Sequence, residues 1–258
     1  MIVPVLKIAI PLVCAHVIGD FILQTEDDVE RKGKFLVLVK HVFWIALISY
    51  ILVGIINAWH IAVVIMVSHA VIDFIKHKFG KTNLKIFVYD QLAHISVIIL
   101  LSYCIATENL YPQSSIWFEY FGRAYYSLQV FTTGAIVCIY VGGLFVGLGV
   151  QPFLDQMEHE DDGLHREGSD LSSIHARGLK DGGKIIGYLE RSLIYLLVLV
   201  NQPSAIGFLI AAKSVFRFGE LQDRTNRMEA EYIIIGTLLS FSFGIAVSFF
   251  IQKIVLSM

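Results

Sequence analysis

Apolar runs of roughly 20 residues recur along this 258-residue chain, and no other feature constrains its fold so strongly. Wound as an α-helix, a run of that length crosses the roughly 30 Å hydrocarbon core of a bilayer. In hydrocarbon every backbone N–H and C=O must be paired internally, because no water is present to take it. The runs lack the alternating pattern of membrane β-strands, so helices follow. Composition agrees: 56% of residues are hydrophobic and 16% charged, more apolar surface than a soluble core of this size can bury. The sequence therefore predicts an all-α, polytopic integral membrane helical bundle.

About eight spans are expected. Seven fall at Val3–Leu23, Phe35–Ile56, His60–Phe79, Ile86–Ala106, Leu128–Val150, Lys184–Val200 and Tyr232–Ile251. The eighth, Ser204–Phe218, is short, follows the breaker Asn201-Gln202-Pro203 and carries Lys213 and Arg217, so a re-entrant course is the alternative to a crossing. The apolar start, with Lys7 its sole early charge, reads as a retained first span. Cys14, Cys104 and Cys138 stand singly in apolar runs with no C-x-x-C pair, which gives no redox reading.

Charge placement orients the bundle. Of the 20 Lys and Arg, all but Lys7, Arg123 and Lys253 fall on one side of the alternating loops or just inside a helix from it. They cluster as Arg31, Lys32, Lys34 and Lys40; Lys76, Lys78, Lys81 and Lys85; Arg166, Arg177, Lys180 and Lys184; and Lys213, Arg217, Arg224 and Arg227, with Arg191 beyond the third cluster. The positive-inside rule puts that side in the cytoplasm and both termini outside, in a cell inner (plasma) membrane. The expected organisation is a four-span His/Asp-rich domain at 1–106, an outer loop at 107–127, a fifth span at 128–150, an acidic cytoplasmic loop at 151–183 and C-terminal membrane helices at 184–258. His159, His165 and His175 in the acidic loop match no standard metal-site spacing, and the loop reads as solvated. The net charge of -2 points to no nucleic-acid partner.

Ionisable residues within spans are costly and mark functional sites. Here they are patterned. His16 and Asp20 are four apart, hence on one helix face, and Gln24 extends that face; His69 and Asp73 repeat the spacing and Lys76 continues it; Asp90 and His94 reverse it, with Gln91 alongside. His41 opens the second span. With the spans alternating in direction, all seven His and Asp residues reach one depth near the inner face. Imidazoles and carboxylates projecting inward from four helices are what a metal site in a bundle core requires, so His16, Asp20, His41, His69, Asp73, Asp90 and His94 are candidate ligands for a divalent ion, zinc being one candidate. Asp20, Asp73 and Asp90 are the candidate catalytic carboxylates, as ligand or general base. Gln24, Lys76 and Gln91, with Glu190, Arg191 and Lys213 from the C-terminal half, are candidate substrate-binding residues.

Plainer readings stand beside these. A single i,i+4 His/Asp pair also serves as a packing clasp, a polar cluster also specifies helix packing, and Glu190, Arg191 and Lys213 also pair helices or snorkel. His60 beside Trp59 suits an interface, and Gly143-x-x-x-Gly147 suits close helix packing. No G-x-S-x-G turn, P-loop or dinucleotide fingerprint is present, so a metal-activated water is the favoured nucleophile if the chain hydrolyses anything.

The run His16-x-x-Gly19-Asp20-Phe21-x-x-Gln24, then His41, then His69-x-x-x-Asp73-x-x-Lys76, then Asp90-Gln91-x-x-His94 resembles the bacterial membrane-protein family catalogued as domain of unknown function three-three-zero-seven. The stretch from Gly182 through Glu190-Arg191, Ala211-Ala212-Lys213-Ser214 and Glu231-Tyr232 is similar to a C-terminal extension of some members. A looser similarity of the His/Asp arrangement is to small inner-membrane metal-dependent hydrolases, whose His-Arg-x-x-Thr-His-Ser-type segment this sequence lacks. The functional expectation is a metal-dependent hydrolase acting at the cytoplasmic face on a lipid-linked or amphipathic ester or phosphoester. The alternatives are a metal-ion or proton transporter and a non-catalytic scaffold. The partner is a membrane lipid or lipid-linked small molecule.

The orientation is checked by cysteine labelling in a variant lacking Cys14, Cys104 and Cys138. A cysteine introduced at Ser169 is expected to react with an impermeant maleimide only in inside-out vesicles; labelling in intact cells reverses the orientation.

Overall fold

The protein's structure, a computed structural model, describes residues 2–25, 35–80, 83–107, 115–164, 181–217 and 227–258, and no strand occurs among them. Arg31, Lys32, Lys34, Lys81, Arg166, Arg177, Lys180 and Arg224 of the basic clusters, and His165 and His175, lie outside the described residues, as do the side chains of His159, Arg217 and Arg227. Contacts divide the chain into two units, one of Met1–Ile136 with Ile254–Met258 and one of Val137–Lys253.

The first unit holds α1 (Ile2–Ile18), which runs on through a π-helical turn at Gly19–Leu23, then α2 (Phe35–Val53), α3 (Trp59–Lys78), α4 (Leu84–Thr107), α5 (Ile116–Phe121) and α6 (Arg123–Ile136). Helix α1 packs on α2 and α4, and α3 packs on the same two, which closes a four-helix ring; α6 lies against α1. The ring interior is layered at the helical i,i+4 interval. One layer is Leu12, Ile45, Ile65 and Ile98, all buried. Four residues from each, along its own helix, stands a histidine: His16, His41, His69 and His94. The outward faces carry exposed apolar side chains such as Val63, Val67, Val71 and Phe74 on α3, as a lipid-facing surface does.

Close packing of α1 on α2 depends on Gly19. A Cβ there would overlap the Cγ1 of Ile45, a side chain with 0% exposure. Helix α2 ends at Gly54, whose φ of +65° suits glycine, and its last carbonyls find partners beyond the chain's own turn. Trp117 Nε1 donates to Ile51 O at 2.6 Å, Ile116 N donates to Gly54 O at 2.9 Å, and the Tyr125 hydroxyl donates to Leu52 O. The segment expected as a plain outer loop at 107–127 therefore contains α5 and the start of α6, because those orphan carbonyls need donors.

The second unit comprises a π-helical turn (Val137–Val141), α7 (Gly142–Leu164), α8 (Gly182–Leu199), a 3-10 turn (Pro203–Ala205), α9 (Ile206–Arg217) and α10 (Arg227–Ser257), whose end from Ile254 is grouped with the first unit. Its core joins Ile194, Val198, Ile206 and Phe241. Asn201, at φ 58°, stops α8 in a left-handed turn in which Gln202 N reaches Leu197 O at 2.8 Å.

Among the described residues six helices are long and apolar enough to cross a membrane: Pro4–Leu23, Phe35–Val53, Trp59–Lys78, Leu84–Thr107, Arg123–Met157 and Glu231–Ser257. The other two expected spans are α8, which carries Lys184, Glu190 and Arg191, and α9, whose 12 residues rise only about 18 Å. The fifth span is longer than 128–150, and α7 carries helix through the first part of the expected acidic loop as far as Leu164. There Gln151 Nε2 donates to Asp155 Oδ1 at 2.9 Å, an i,i+4 bond that supports the extension.

Gly19→Leu is expected to lower stability by about 1–3 kcal/mol through overpacking against Ile45. Gly147→Ala, where a Cβ meets nothing within 4 Å, is the control and should be neutral or slightly stabilising. Thermal unfolding in detergent measures both.

Candidate functional site

The His/Asp layer occupies the interior of the four-helix ring. His16, His41, His69, Asp73, Asp90 and His94 are buried, and the Asp20 side chain is 8% exposed. The i,i+4 pairs that the sequence displays are its longer contacts. His16 Nδ1 and Asp20 Oδ1 are 3.9 Å apart, His94 Nδ1 and Asp90 Oδ1 3.7 Å, and His69 Nε2 and Asp73 Oδ2 3.6 Å.

The shorter contacts cross between helices. His41 Nε2 and His69 Nε2 approach to 3.2 Å, and Asp20 Oδ1 lies 3.3 Å from both. Asp73 Oδ2 lies 3.5 Å from His41 Nε2. The π-helical turn at Gly19–Leu23 aims Asp20 at these partners, since the wider turn breaks the strict helical register that begins at His16.

Tetrahedral ligands at about 2.0–2.1 Å from an ion lie about 3.3–3.4 Å from one another. Asp20 Oδ1, His41 Nε2 and His69 Nε2 stand 3.2–3.3 Å apart, and Asp73 Oδ2 lies 3.5 and 3.6 Å from the two histidines. The imidazoles of His41 and His69 together with the carboxylate of Asp20, or with that of Asp73, fit a divalent ion such as zinc in atom type and in spacing.

The remaining residues hold that core from outside. His94 Nδ1 donates to the Asp90 carbonyl at 2.9 Å. Gln91 Nε2 donates to Asp90 Oδ2 at 3.1 Å, which turns Gln91 Oε1 toward His16 Nε2, its donor at 3.3 Å. Lys76 Nζ donates to Asp90 Oδ2 at 2.6 Å. Lys76 and Gln91, expected to meet substrate, are thus bonded to Asp90 and His16. Rings stack across the layer, with His16 and His94 centroids at 4.8 Å and His69 and His94 at 4.2 Å.

Two small openings adjoin the cluster. One has room for about one water molecule and is bounded by His16, His69 and His94 with Leu12, Ile65 and Ile98. The other is a cleft lined by Leu23, Gln24, Val37, Lys40, His41 and Trp44. Gln24 Nε2 is buried there without a hydrogen-bond partner among the described residues. Lys40 and Trp44 did not stand out as site residues in the sequence; adjacency of Lys40 to His41 was the available signal, and it read only as a charge that orients the membrane.

Glu190, Arg191 and Lys213 belong to the second unit. Lys213 Nζ donates to Glu190 Oε2 at 2.7 Å. Arg191 is 3% exposed; its Nε and Nη2 donate to Ile139 O at 3.3 and 3.0 Å and its Nη1 to Ser240 Oγ at 2.9 Å. Ile139 lies in the π-helical turn, where the altered bonding pattern leaves a carbonyl for the guanidinium. Gly143 and Gly187 leave it room, since a Cβ at either would come within 3.0 Å of an Nη atom. Gly147 packs against nothing within 4 Å, so the expected Gly143/Gly147 pair is a single close approach.

A ring of membrane-length helices around a buried His/Asp layer defines a helical membrane protein with a polar centre. Residues 8–120, which include that whole layer, match the model of a family described as a protein of unknown function (DUF3307). This is the family that the run from His16 to His94 resembles. No curated protein and no solved structure matches the chain.

Arg191→Met leaves Ile139 O and Ser240 without their donor and should cost about 2–4 kcal/mol in unfolding free energy in detergent. Ser240→Ala, which removes one acceptor, should cost about 1–2 kcal/mol.

Proposed function

We propose that this protein is a membrane-embedded, metal-dependent hydrolase of the inner (plasma) membrane. It acts at the cytoplasmic face on an ester or phosphoester of a lipid-linked or amphipathic substrate. The observation that carries the reading is the approach of Asp20 Oδ1 and of Asp73 Oδ2 to the paired His41 Nε2 and His69 Nε2, at contacts of 3.2–3.6 Å. A divalent ion supplies Lewis acidity there and brings the pKa of water to about 7.

The chain's own residues do the rest. His41, His69, Asp20 and Asp73 hold the ion, and Gln91 fixes the ring of His16 beside it. Asp90 is the carboxylate left over for proton transfer: it takes a proton from the attacking water and passes it to the leaving alkoxide, while Lys76 and Gln91 keep it in place. Gln24 and Lys40 in the cleft beside His41 receive the polar end of the substrate. Exposed Phe35, Leu36, Val39 and Phe43 on the same helix suit an acyl chain next to that cleft.

The layer of Leu12, Ile45, Ile65 and Ile98 favours a held ion over a conducted one. Beyond it lie the buried Ser49 and Ser102, one interval further along α2 and α4, so two apolar side chains separate these hydroxyls from the histidines on their own helices.

Detergent-purified protein is expected to carry stoichiometric divalent metal by elemental analysis. His41→Ala and His69→Ala should lose most of it while keeping helical circular dichroism. Hydrolysis of fluorogenic acyl and phosphate esters in mixed micelles should require the metal and fall at least 100-fold in Asp90→Asn, in line with removal of a general base (about 10²–10⁴). A folded wild type that binds no added Zn²⁺ sinks the reading.

A further inference from the structure

On the residues of the layer other than Asp20, His41, His69 and Asp73, three ligand-type atoms stand out. They are His16 Nδ1, Asp90 Oδ1 and His94 Nε2, all on buried residues, and none has a hydrogen-bond partner among the described residues. Each belongs to a side chain whose other end is fastened. His94 Nδ1–H is given to the Asp90 carbonyl, so in the neutral ring Nε2 carries a bare lone pair. His16 Nε2–H is given to Gln91, so its Nδ1 is bare as well. Asp90 Oδ2 receives both Lys76 and Gln91 and leaves Oδ1 with only His94 Nδ1 at 3.7 Å, too far for a hydrogen bond.

One orphaned atom is a local flaw, whereas three on facing side chains with outer ends secured are how metal ligands are held. Ligand atoms of Asp73, Asp90 and His94 lie within 4.8 Å of one another, and those of His16, His69 and His94 do so too. The first of these sets shares only Asp73 with the group of Asp20, His41, His69 and Asp73.

We propose that the layer holds a second divalent cation on Asp90, His94 and Asp73, with His16 beside it and Asp73 bridging to the first, and that the substrate is accordingly a phosphoester. The inference rests on the metal-dependent reading above. Charge supplies the substrate class. Asp20, Asp73 and Asp90 with Lys76 sum to two negative charges, which one divalent ion cancels and two ions turn into a surplus of two positive charges. That surplus matches a phosphate group and has no counterpart in a neutral carboxylic ester. Asp90 would then help to hold the second ion rather than act as the base, and the ions would supply the charge that lets the attacking water yield its proton to the departing alkoxide as the new P–O bond forms and the old one breaks.

The full-length protein in detergent is equilibrated with Zn²⁺, desalted, and its metal counted against protein by plasma mass spectrometry. Two ions per chain are expected in the wild type, and one in His94→Gln and in Asp90→Asn. One ion in the wild type, kept in His94→Gln and lost in His41→Ala, overturns the second ion and leaves the single-ion reading intact. No ion in any form overturns both. If the variants aggregate, the wild type loaded with Mn²⁺ decides alone: a spin-coupled pair in the electron paramagnetic spectrum supports the proposal, and an isolated-ion spectrum refutes it. Inorganic phosphate should bind the loaded wild type at least roughly tenfold more tightly than His94→Gln, and equal affinity overturns the phosphoester assignment.

Discussion

A carboxylate or imidazole moved from water into hydrocarbon loses hydration worth several kcal/mol, and only other polar groups at the same depth can replace it. Four helices of the first unit each carry such groups, so none of them can be placed independently of the rest. Asp20 Oδ1 stands 3.3 Å from histidines of α2 and α3, and Asp90 Oδ2 receives Lys76 of α3. The antiparallel ring of α1 to α4 is the arrangement that brings all of them together. The apolar layers beyond, with Leu12, Ile45, Ile65 and Ile98, fill the ring by ordinary packing and define how tightly the polar layer is enclosed.

Both units pair a buried polar group with a π-helical turn. In the first, the turn at Gly19–Leu23 carries Asp20 to His41 and His69; in the second, the turn at Val137–Val141 offers Ile139 O to Arg191. A regular helix commits every interior carbonyl to its own ladder and fixes side chains at constant angular steps. A π turn relaxes both restrictions locally, at the cost of one poorer turn of hydrogen bonding. In each unit the glycines next to the polar group do complementary work, Gly19 against Ile45 and Gly143 against Arg191.

Much of the fold was readable from the sequence because hydrocarbon imposes a length and a composition on each crossing. The first four spans were placed to within a few residues of α1 to α4. Boundaries set by tertiary partners were not readable: α5 and the start of α6 lie where a loop was expected, since they supply donors to the end of α2. In the second unit, Glu190 and Arg191 are neighbours in sequence but bond to different helices, Glu190 to Lys213 on α9 and Arg191 to Ser240 on α10. Adjacent helical positions point about 100° apart, so the sequence announced that they would differ without naming either partner.

The sequence by itself determined that the chain is a bundle of membrane-length helices and that its histidines and aspartates share helix faces at one depth, because length, hydropathy and the four-residue interval are local properties. Only the tertiary structure decided which of these residues meet. The expected i,i+4 pairs are looser than the contacts of His41 with His69 and of Asp20 with both, and Lys76 and Gln91 turn toward Asp90. Such distances depend on how four helices rotate against one another, and that rotation is set by the packing of the whole ring.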